Sequence, residues 1–598
     1  MSDDTKYLLV TTALEESWRG EENLVLLGEW CRLYSERAII NAKCHEVLPY
    51  HWDDSHKVDA DFRYLQLLNK ELISDLTKIL NDIHHKNYTE KTWSILIGCW
   101  LVKFTAIVLD RWSMIDFATK NYEFIETISL NIDRLDCVPN DTQQSVDFFL
   151  DDEWNHALCI QLIETFHKIK IKYDNKILDN KLRKKDLENV PTSLKLKLKK
   201  ILRPVLITIK NSIFRSGTYI FDSTFLGLMN ELKINLSLGW AVSYKAFLDP
   251  PLKKYDDNFR NWTISKKGAD EFETTLRRLI PKFMPKIFLE GFENCHDKNT
   301  QDSFACKTQV IFTATSHFYN DSFKVYAMDK VHKGSKLVIA QHGGGCLNRY
   351  EAETDFFELL IADKYLSPGS ANEKINNKII NVGQVFNRQK YHNYKPYNKR
   401  TDAILVTVAM PRYVFSMISA AKAGQMISYF EDQFLFYQGL TEHVREHLLV
   451  RLYSEDYGWD QRQRWIDNFA DIKFDNNPKM TTSAKKARLV IGTYSATTFN
   501  ETLASNTPTV VYWDSNYWQL NSVSDPYFEE LVKVGIFHNT PESASRQVVN
   551  VWDDIEKWWY DPELQAVRQK YCKAFADQTD GLINNIKVVL QEQRDIAS

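Results

Sequence analysis

The sequence lacks the features that mark several specialised classes of protein. None of its nine cysteines falls in a CxxC pair, so neither a zinc ribbon nor a disulfide framework is indicated, and scattered thiols are typical of a reducing cytoplasm. Glycine and proline number only 20 and 16 in 598 residues, which is too few for a disordered or fibrous chain. With 75 Lys and Arg against 79 Asp and Glu, the near-neutral balance argues against a nucleic-acid-binding coat protein.

Long uninterrupted apolar stretches are also missing. The N-terminus has no basic segment followed by an apolar run, so we predict no signal peptide. Even the apolar run at 94–109, SILIGCWLVKFTAIVL, is interrupted by Lys103, which favours a buried helix over a membrane span. We therefore expect a cytoplasmic protein.

Short apolar runs that alternate with helical patterns dominate the rest of the chain. Runs such as KLVIA (336–340) and AILVTVAM (403–410) are typical of parallel strands covered on both faces. A Lys/Asn/Tyr-rich segment at 388–402 separates two halves. We predict an α/β fold with two Rossmann-like domains that face a cleft. A ligand would lie in this cleft, at the carboxyl ends of the strands. The domains are residues 1–395, with a helical insertion at about 60–300, and residues 396–598.

The segment 168–203 differs from its surroundings in charge. It holds thirteen Lys and Arg against four Asp and Glu, and its end alternates Leu with Lys. One interpretation is a solvated helix pair or a long surface connection. The other is a basic patch that contacts anionic lipid head groups at the cytoplasmic face of the inner membrane, or a phosphate-bearing acceptor.

The strongest local motif is RLVIGTYSATTFNETLASNTPTVVYW at 488–513. A buried strand ends at Gly492, and a hydroxyl-rich turn with Ser495, Thr497 and Thr498 leads into a helix that carries Glu501. Free backbone N–H groups and the positive end of the helix dipole make such a turn a natural phosphate site. Glu501 would accept hydrogen bonds from ribose hydroxyls if it faces the cleft. The alternative is that the hydroxyl side chains only cap the helix.

A second motif follows the strand KLVIA. Gln341 and His342 precede three glycines, Gly343, Gly344 and Gly345, which let the backbone approach a ligand closely. A histidine at this position suits either proton transfer or contact with a diphosphate; the alternative is a histidine on a simple turn. The motif is neither GxGxxG nor GxxxxGK[ST], so NAD is not predicted.

Two further segments offer polar side chains near predicted strand ends. Arg451 ends a strand and is suited to bind phosphate oxygens, and Asp456 and Trp459 follow on a loop. Glu15 and Glu16 follow the first strand, where a carboxylate would serve as the base for an acceptor hydroxyl. A solvated loop and a polar surface turn are the respective alternatives.

These motifs resemble a transferase family associated with bacterial O-antigen and surface-polysaccharide clusters. The resemblance rests on LVTTALEESW, IAQHGGG, RLYSEDYGWDQRQRW, GTYSATTFNETLASNTPTVVYWD and FHNTPESA, and it is weakest across residues 168–300. More distantly, the second half is similar to capsule Kdo transferases and CDP-glycerol glycerophosphotransferases. The resemblance implies a GT-B architecture, with the donor held by the C-terminal half and a general base supplied by the N-terminal half.

The resemblance also implies roles for individual residues. Ser495 and Thr497 stand where those families bind phosphate, Glu501 stands where a carboxylate holds ribose, and His342 matches a His-Gly turn. One departure concerns an Arg-x-His-Pro pattern, which is here Arg451-Leu452-Tyr453-Ser454 and lacks the histidine. This weakens the case for a CMP donor, unless His342 or Tyr453 substitutes.

We therefore expect a glycosyltransferase of O-antigen, lipopolysaccharide or other surface-polysaccharide biosynthesis. Its donor would be a nucleotide-activated sugar, with CMP-linked acidic sugars favoured slightly, and its acceptor a glycan or lipid-linked oligosaccharide. His342 or Glu16 would take the acceptor proton. No convincing DxD motif ends a strand, so we predict neither metal nor cofactor. The alternatives are a glycerophospho- or polyol-phosphate transferase with a CDP-linked donor, and a non-catalytic nucleotide-sugar-binding protein.

Overall fold

The fold is built from three parallel β-sheets that follow one another along the chain. The computed structural model describes residues 7–21, 23–122, 125–177, 217–251, 253–264, 268–300, 308–385, 400–578 and 580–597. Each sheet has helices in its crossover connections, the arrangement that parallel strands require.

The first sheet has five strands in the order β3-β2-β1-β4-β5. The strands are β1 (Tyr7–Val10), β2 (Asn23–Leu26), β3 (Cys44–Val47), β4 (Ile125–Asn131) and β5 (Lys170–Ile177). The helices of this part are α1 (Arg37–Asn41), α2 (Ser55–His84), α3 (Glu90–Asn121), α4 (Thr142–Phe149) and α5 (Asp152–Phe166).

The second sheet has six strands in the order β11-β10-β9-β8-β6-β7. The strands are β6 (Tyr219–Asp222), β7 (Val242–Ser243), β8 (Val310–Thr313), β9 (Lys336–Ala340), β10 (Lys364–Ser367) and β11 (Ile379–Asn381). The helices are α6 (Leu228–Ser237), α7 (Glu271–Phe283), α8 (Phe292–Thr300), α9 (Ser316–Tyr319), α10 (Asp321–His332) and α11 (Glu353–Ile361).

The third sheet has five strands in the order β13-β12-β14-β15-β16. The strands are β12 (Ala403–Val406), β13 (Leu448–Arg451), β14 (Leu489–Gly492), β15 (Thr509–Tyr512) and β16 (Phe537–His538). The helices are α12 (Gln425–Gln438), α13 (Glu442–Glu446), α14 (Gln461–Asn468), α15 (Met480–Ala484), α16 (Thr497–Ala504), α17 (Asp525–Lys533), α18 (Pro541–Val551), α19 (Ile555–Trp559), α20 (Pro562–Phe575) and α21 (Leu582–Ala597).

Side-chain caps set where many of the helices begin. The side chains of Asp54, Thr89, Asp151, Asp270 and Thr540 each accept a hydrogen bond from a backbone N–H in the first turn of the following helix. Such caps satisfy amide groups that have no partner within the helix. Local sequence therefore fixes these helix starts.

Helix α3 is the central helix of the first two sheets' shared core. It is long and apolar enough to cross a membrane, but the apolar window lies wholly inside the protein, as expected for a buried core helix. Lys103 on this helix is buried and lies 3.1 Å from Glu353 at the start of α11. Burial lowers the pKa of Lys103, but the Glu353 carboxylate, together with Tyr319 and Cys99, raises it above its usual range.

The predicted division into domains differs from the structure in two ways. Residues 1–395 contain two sheets rather than one, and the predicted helical insertion at 60–300 includes strands β4 to β7. These strands escaped prediction because β7 has only two residues and β4 (IETISLN) mixes polar with apolar side chains. The last helix, α21, leaves the C-terminal half and packs on the second sheet through Leu582, Ile586 and Leu590.

The α/β fold class and the GT-B-like arrangement are confirmed. The second and third sheets are parallel and Rossmann-like, and the loops at their carboxyl ends meet, as described below. The first sheet is an addition to the two predicted Rossmann-like units. It also contacts the third, where Arg412 lies 2.8 Å from Asp152 and donates to the carbonyl of Trp30.

The basic segment begins as a strand rather than as a helix or a connection. Lys170 to Ile177 form β5 at the edge of the first sheet, and Lys172 lies 2.7 Å from Glu126 on β4. Residues 178–203, and most of the predicted link at 388–402, lie outside the described residues. Contact of the basic segment with a membrane stays a prediction.

Candidate functional site

The two strongest sequence motifs lie in direct contact. The loop 341–345, which follows β9, packs against the N-terminal end of α16, which follows β14. The Gly344 N–H donates to Thr497 Oγ1 at 2.9 Å, and Arg349 Nη2 donates to the carbonyl oxygen of Ser495 at 2.8 Å. The carboxyl ends of the second and third sheets are thereby joined. We call this contact the junction of loop 341–345 with α16.

Glycine is required at the junction because the two backbones approach closely. A Cβ on Gly344 would lie 2.7 Å from the Cα of Thr497 and 3.0 Å from its nitrogen. Gly345 has φ of +84°, a backbone conformation that residues other than glycine rarely adopt. The run of glycines therefore permits the contact between the two sheets.

The N-terminal end of α16 has no side-chain cap. The cap residue is Ala496, in an extended conformation, and no side chain caps this helix end, so the alternative that the hydroxyl residues merely cap the helix does not describe it. Ser495 is buried, and Thr497 and Thr498 are partly exposed. Because the helix dipole is positive here, this end of α16 is suited to an anion.

The other residues of this motif have distinct surroundings. Gly492 ends β14, where a Cβ would meet Val511, and Glu501 is buried on α16. The hydroxyl of Thr498 hydrogen-bonds to Tyr494, which opposes the burial that raises the pKa of Tyr494 to about 12.

His342 is half-buried beside the junction. Its ring lies 5.3 Å from that of Phe318 in an edge-on contact, and its Nδ1 is buried without a hydrogen-bond partner among the described residues. Burial lowers its pKa, an effect that Glu358 opposes. The imidazole is therefore neutral at neutral pH and able to accept a proton. Gln341 is buried and donates to the carbonyl of Gly343, which shapes the loop.

A buried polar cluster lies behind His342. His317 Nε2 and Glu358 Oε1 are 2.9 Å apart, and Tyr365 donates to the other carboxylate oxygen at 3.2 Å. Burial lowers the pKa of His317 to about 3 and raises that of Glu358 to about 7, while the charge of His342 lowers the latter. The protonation of Glu358 and that of His342 are therefore coupled.

Arg451 has a partner that the sequence did not indicate. Its Nη1 lies 2.7 Å from Asp475 and donates to the carbonyl of Asn477 at 2.9 Å. Its charge is thus largely compensated within the third sheet. Tyr453, two residues on, is 39% exposed, and its ring lies 6.3 Å from that of Tyr457 in a stacked contact.

Asp456 and Trp459, predicted as loop residues near the site, both make structural contacts in the segment after β13. Asp456 accepts hydrogen bonds from the backbone N–H groups of Asp460 and Gln461 at the start of α14. Trp459 is buried, and its indole donates to the carbonyl of Met410. The partners of Asp456 lie four and five residues further along the chain, whereas Met410 is 49 residues from Trp459.

Glu15 and Glu16 lie in the turn after β1. Glu15 lies 2.6 Å from Arg19 in an ion pair, and Glu16 is exposed. In the described part of the chain neither carboxylate hydrogen-bonds to loop 341–345 or to α16. The turn after β1 belongs to the first sheet, where Ala13 N–H donates to Asp152, and the role of either glutamate as the base stays a prediction.

The residues that follow the glycines also contact the junction and its surroundings, which the sequence did not indicate. Arg349 contacts the turn before α16, and its Nε is buried without a hydrogen-bond partner among the described residues. Glu351 bonds to Ser419, and Glu353 accepts from the backbone N–H of Met417. The only signal in the sequence is a cluster of charges, NRYEAE, that begins three residues after the glycine run. It does not reveal partners 60 residues or more away.

The two facing Rossmann-like sheets and their glycine-mediated contact define a GT-B-type protein. A family model described as LIC12162 family transferase matches residues 7–590. The chain therefore belongs to the LIC12162 family of transferases. No curated protein sequence matches it.

Several solved structures are similar to parts of the chain. S. aureus MnaA with UDP shares 12% identity and covers 62% of this chain and 96% of its own, with a TM-score of 0.36. Acinetobacter baumannii MurG shares 12% identity and covers 62% of this chain and 99% of its own, with a TM-score of 0.32. The wall teichoic acid polymerase TagF shares 11% identity and covers 67% of this chain and 99% of its own, with a TM-score of 0.31.

Proposed function

We propose that this transferase is a glycosyltransferase that binds a nucleotide-activated sugar at the junction of loop 341–345 with α16. The observation that carries the proposal is the hydrogen bond from Gly344 to Thr497 at the uncapped start of α16. The loop that bears His342 thus lies against a helix end of the other sheet whose dipole suits an anion. A leaving phosphate and a proton acceptor would thus meet in one place.

The phosphate of the donor would lie against the first turn of α16. The backbone amides there, the hydroxyl of Thr497 and the unpartnered Nε of Arg349 are the donors we assign to it. Arg349 takes the role first expected of Arg451, whose guanidinium is held by Asp475. Charge grows on the leaving phosphate as the glycosidic bond breaks, so groups preorganised around it stabilise the transition state.

His342 is the base we propose for the acceptor hydroxyl. Its lowered pKa keeps the ring neutral at neutral pH. The acceptor oxygen forms a bond to the anomeric carbon, its proton passes to His342, and the electron pair of the broken bond leaves with the nucleotide phosphate. Glu501 is proposed to hold the ribose hydroxyls.

The proposals on pathway, location and donor rest on the resemblance noted in the sequence. They are a role in O-antigen, lipopolysaccharide or other surface-polysaccharide biosynthesis, a cytoplasmic location, and a slight preference for CMP-linked acidic sugars. We also propose that no metal or cofactor takes part, because the helix end and Arg349 offer positive charge for the phosphate.

Calorimetry with CMP, CDP, UDP, GDP and TDP tests the site. Thr497→Val removes the hydroxyl that accepts from Gly344 and should weaken binding of the preferred nucleotide by about 1–3 kcal/mol. Thr441→Val is the matched control, because Thr441 is exposed and its side chain caps nothing. If the wild-type protein binds no nucleotide, or if both variants bind like wild type, the assignment is wrong.

Product analysis tests the reaction. A glycosyltransferase gives a new glycosidic bond and a free nucleotide, whereas a polyol-phosphate transferase gives a new phosphodiester. Nucleotide binding without turnover of any activated donor, with a lipid-linked oligosaccharide present, would indicate a binding protein instead.

A further inference from the structure

A cavity of about 880 Å³ opens at the carboxyl ends of β7 and β8. It lies between the segment that follows β7 and the loop that joins α9 to α10, and the start of α4 closes a third side. Its volume is within the range of small-molecule sites, about 300–1,000 Å³. The lining residues that matter below are Asp141, Phe247, Asp249, Lys253, Lys286 and Tyr319.

The cavity and His342 lie at the same edge of the second sheet. Tyr319 in its wall directly follows Phe318, whose ring lies 5.3 Å from the ring of His342. Both the cavity and His342 therefore belong to the carboxyl edge of the second sheet, on either side of α9. His342 itself is not among the residues that line the cavity.

The charges of the lining favour an uncharged ligand. Asp141 and Asp249 are matched by Lys253 and Lys286. A third carboxylate, that of Asp321, is neutralised by buried Lys324. The carboxylates of Asp141 and Asp249 would repel a phosphate or carboxylate ligand and so offset its attraction to the two lysines.

The same groups suit a ligand with many hydroxyls. Carboxylates accept hydrogen bonds from hydroxyl groups, and lysine ammonium groups donate to them. The rings of Phe247 and Tyr319 add apolar surface beside these polar groups, which is the mixture that small-molecule sites use to combine affinity with orientation. Asp249 and Lys253 are exposed, so they are accessible to a ligand.

We infer that this cavity binds the acceptor, and that the acceptor unit bound there is an uncharged saccharide or polyol. The inference rests on the proposed function, since it supplies the hydroxyl that His342 would deprotonate. In the transfer, this hydroxyl oxygen bonds to the donor carbon, its proton goes to His342, and the bond between that carbon and the phosphate oxygen breaks.

Saturation-transfer NMR with methyl glycosides of glucose, galactose and N-acetylglucosamine, and with glycerol, tests the inference. The double variant Asp249→Asn/Lys253→Ala removes one accepting and one donating charge at exposed positions, and should weaken binding of the best probe by about tenfold or more. Asp257→Asn/Lys254→Ala makes the same chemical changes at exposed neighbours outside the lining, and should leave binding unchanged. Calorimetry with nucleotides is run on each protein in parallel.

The outcomes separate the cavity from the donor site. Loss of saccharide binding in the cavity variant, with nucleotide affinity and the control unchanged, supports the inference. The inference is wrong if the wild-type protein binds nucleotide but none of the saccharide probes, or if all three proteins bind the probes equally. Neither result contradicts the proposed function. If the wild-type protein binds no nucleotide, but binds a saccharide probe and loses that binding in the cavity variant, the proposed function is wrong instead.

Discussion

Substitution of Gly344 by alanine is the sharpest perturbation of the junction. The new Cβ would lie 2.7 Å from the Cα of Thr497 and 3.0 Å from its nitrogen. Both are backbone atoms at the start of α16 and cannot rotate away as a side chain would. Loop 341–345 and α16 must therefore separate, and the hydrogen bond from the amide of residue 344 to Thr497 is lost or lengthened.

The expected cost follows from this overlap. Overpacking a tight contact costs about 1–3 kcal/mol, which corresponds to about 5–150-fold in an equilibrium constant. If donor binding requires the closed junction, nucleotide affinity should fall by a factor in that range, and turnover should fall at least as much because His342 shifts with the loop.

Calorimetry and thermal unfolding together assess the variant. Gly20→Ala is the matched control, because a Cβ there meets nothing within 4 Å. Gly343→Ala is an intermediate case, since its Cβ meets only the Thr497 hydroxyl at 3.1 Å. If a folded Gly344→Ala protein binds nucleotide and turns over like wild type, the junction is not the donor site.

Three further predictions address single groups. His342→Ala should lower turnover by roughly 10²–10⁴-fold with nucleotide affinity retained. Because burial lowers the pKa of His342, the activity of the wild-type protein should fall with decreasing pH only below about 6.5. A pH–rate profile measures this. Glu501→Ala should weaken nucleotide binding by about 1–3 kcal/mol, and unchanged affinity in calorimetry would remove it from the ribose site. Lys103→Met leaves Glu353 buried without its cation and should lower the free energy of unfolding by about 3–5 kcal/mol. In denaturant unfolding, the double variant Lys103→Met/Glu353→Gln should lose less stability. An equal loss of stability in the two variants would contradict the pairing of Lys103 with Glu353.

The fold could be predicted wherever burial leaves a clear pattern in the sequence. KLVIA and the apolar residues before Gly492 form strands because both faces of their sheets are covered. The apolar run around Lys103 is a buried helix, and the lysine is tolerated because Glu353 neutralises it. The edge strand β5 (KIKYDNKI) has no such pattern, so the first sheet was not recognised as a separate unit.

The site could be predicted only in part, because the sequence shows local motifs but not the distant residues with which each side chain pairs. The turn before α16 and the loop around His342 were found from glycines and hydroxyls, whose local chemistry is visible in the sequence. Arg451 was overestimated, since its partner Asp475 lies 24 residues away. Arg349 was missed because its contact with Ser495 spans 146 residues.

The central claim is that a nucleotide phosphate binds at the junction of loop 341–345 with α16. A crystal structure of the protein with the nucleotide that binds best in calorimetry tests this most directly. We expect phosphate oxygens within hydrogen-bond distance of the backbone amides at the start of α16 and of Arg349, with His342 facing the same space. A nucleotide bound elsewhere, with Gly344 still bonded to Thr497 and no phosphate near α16, would contradict the claim.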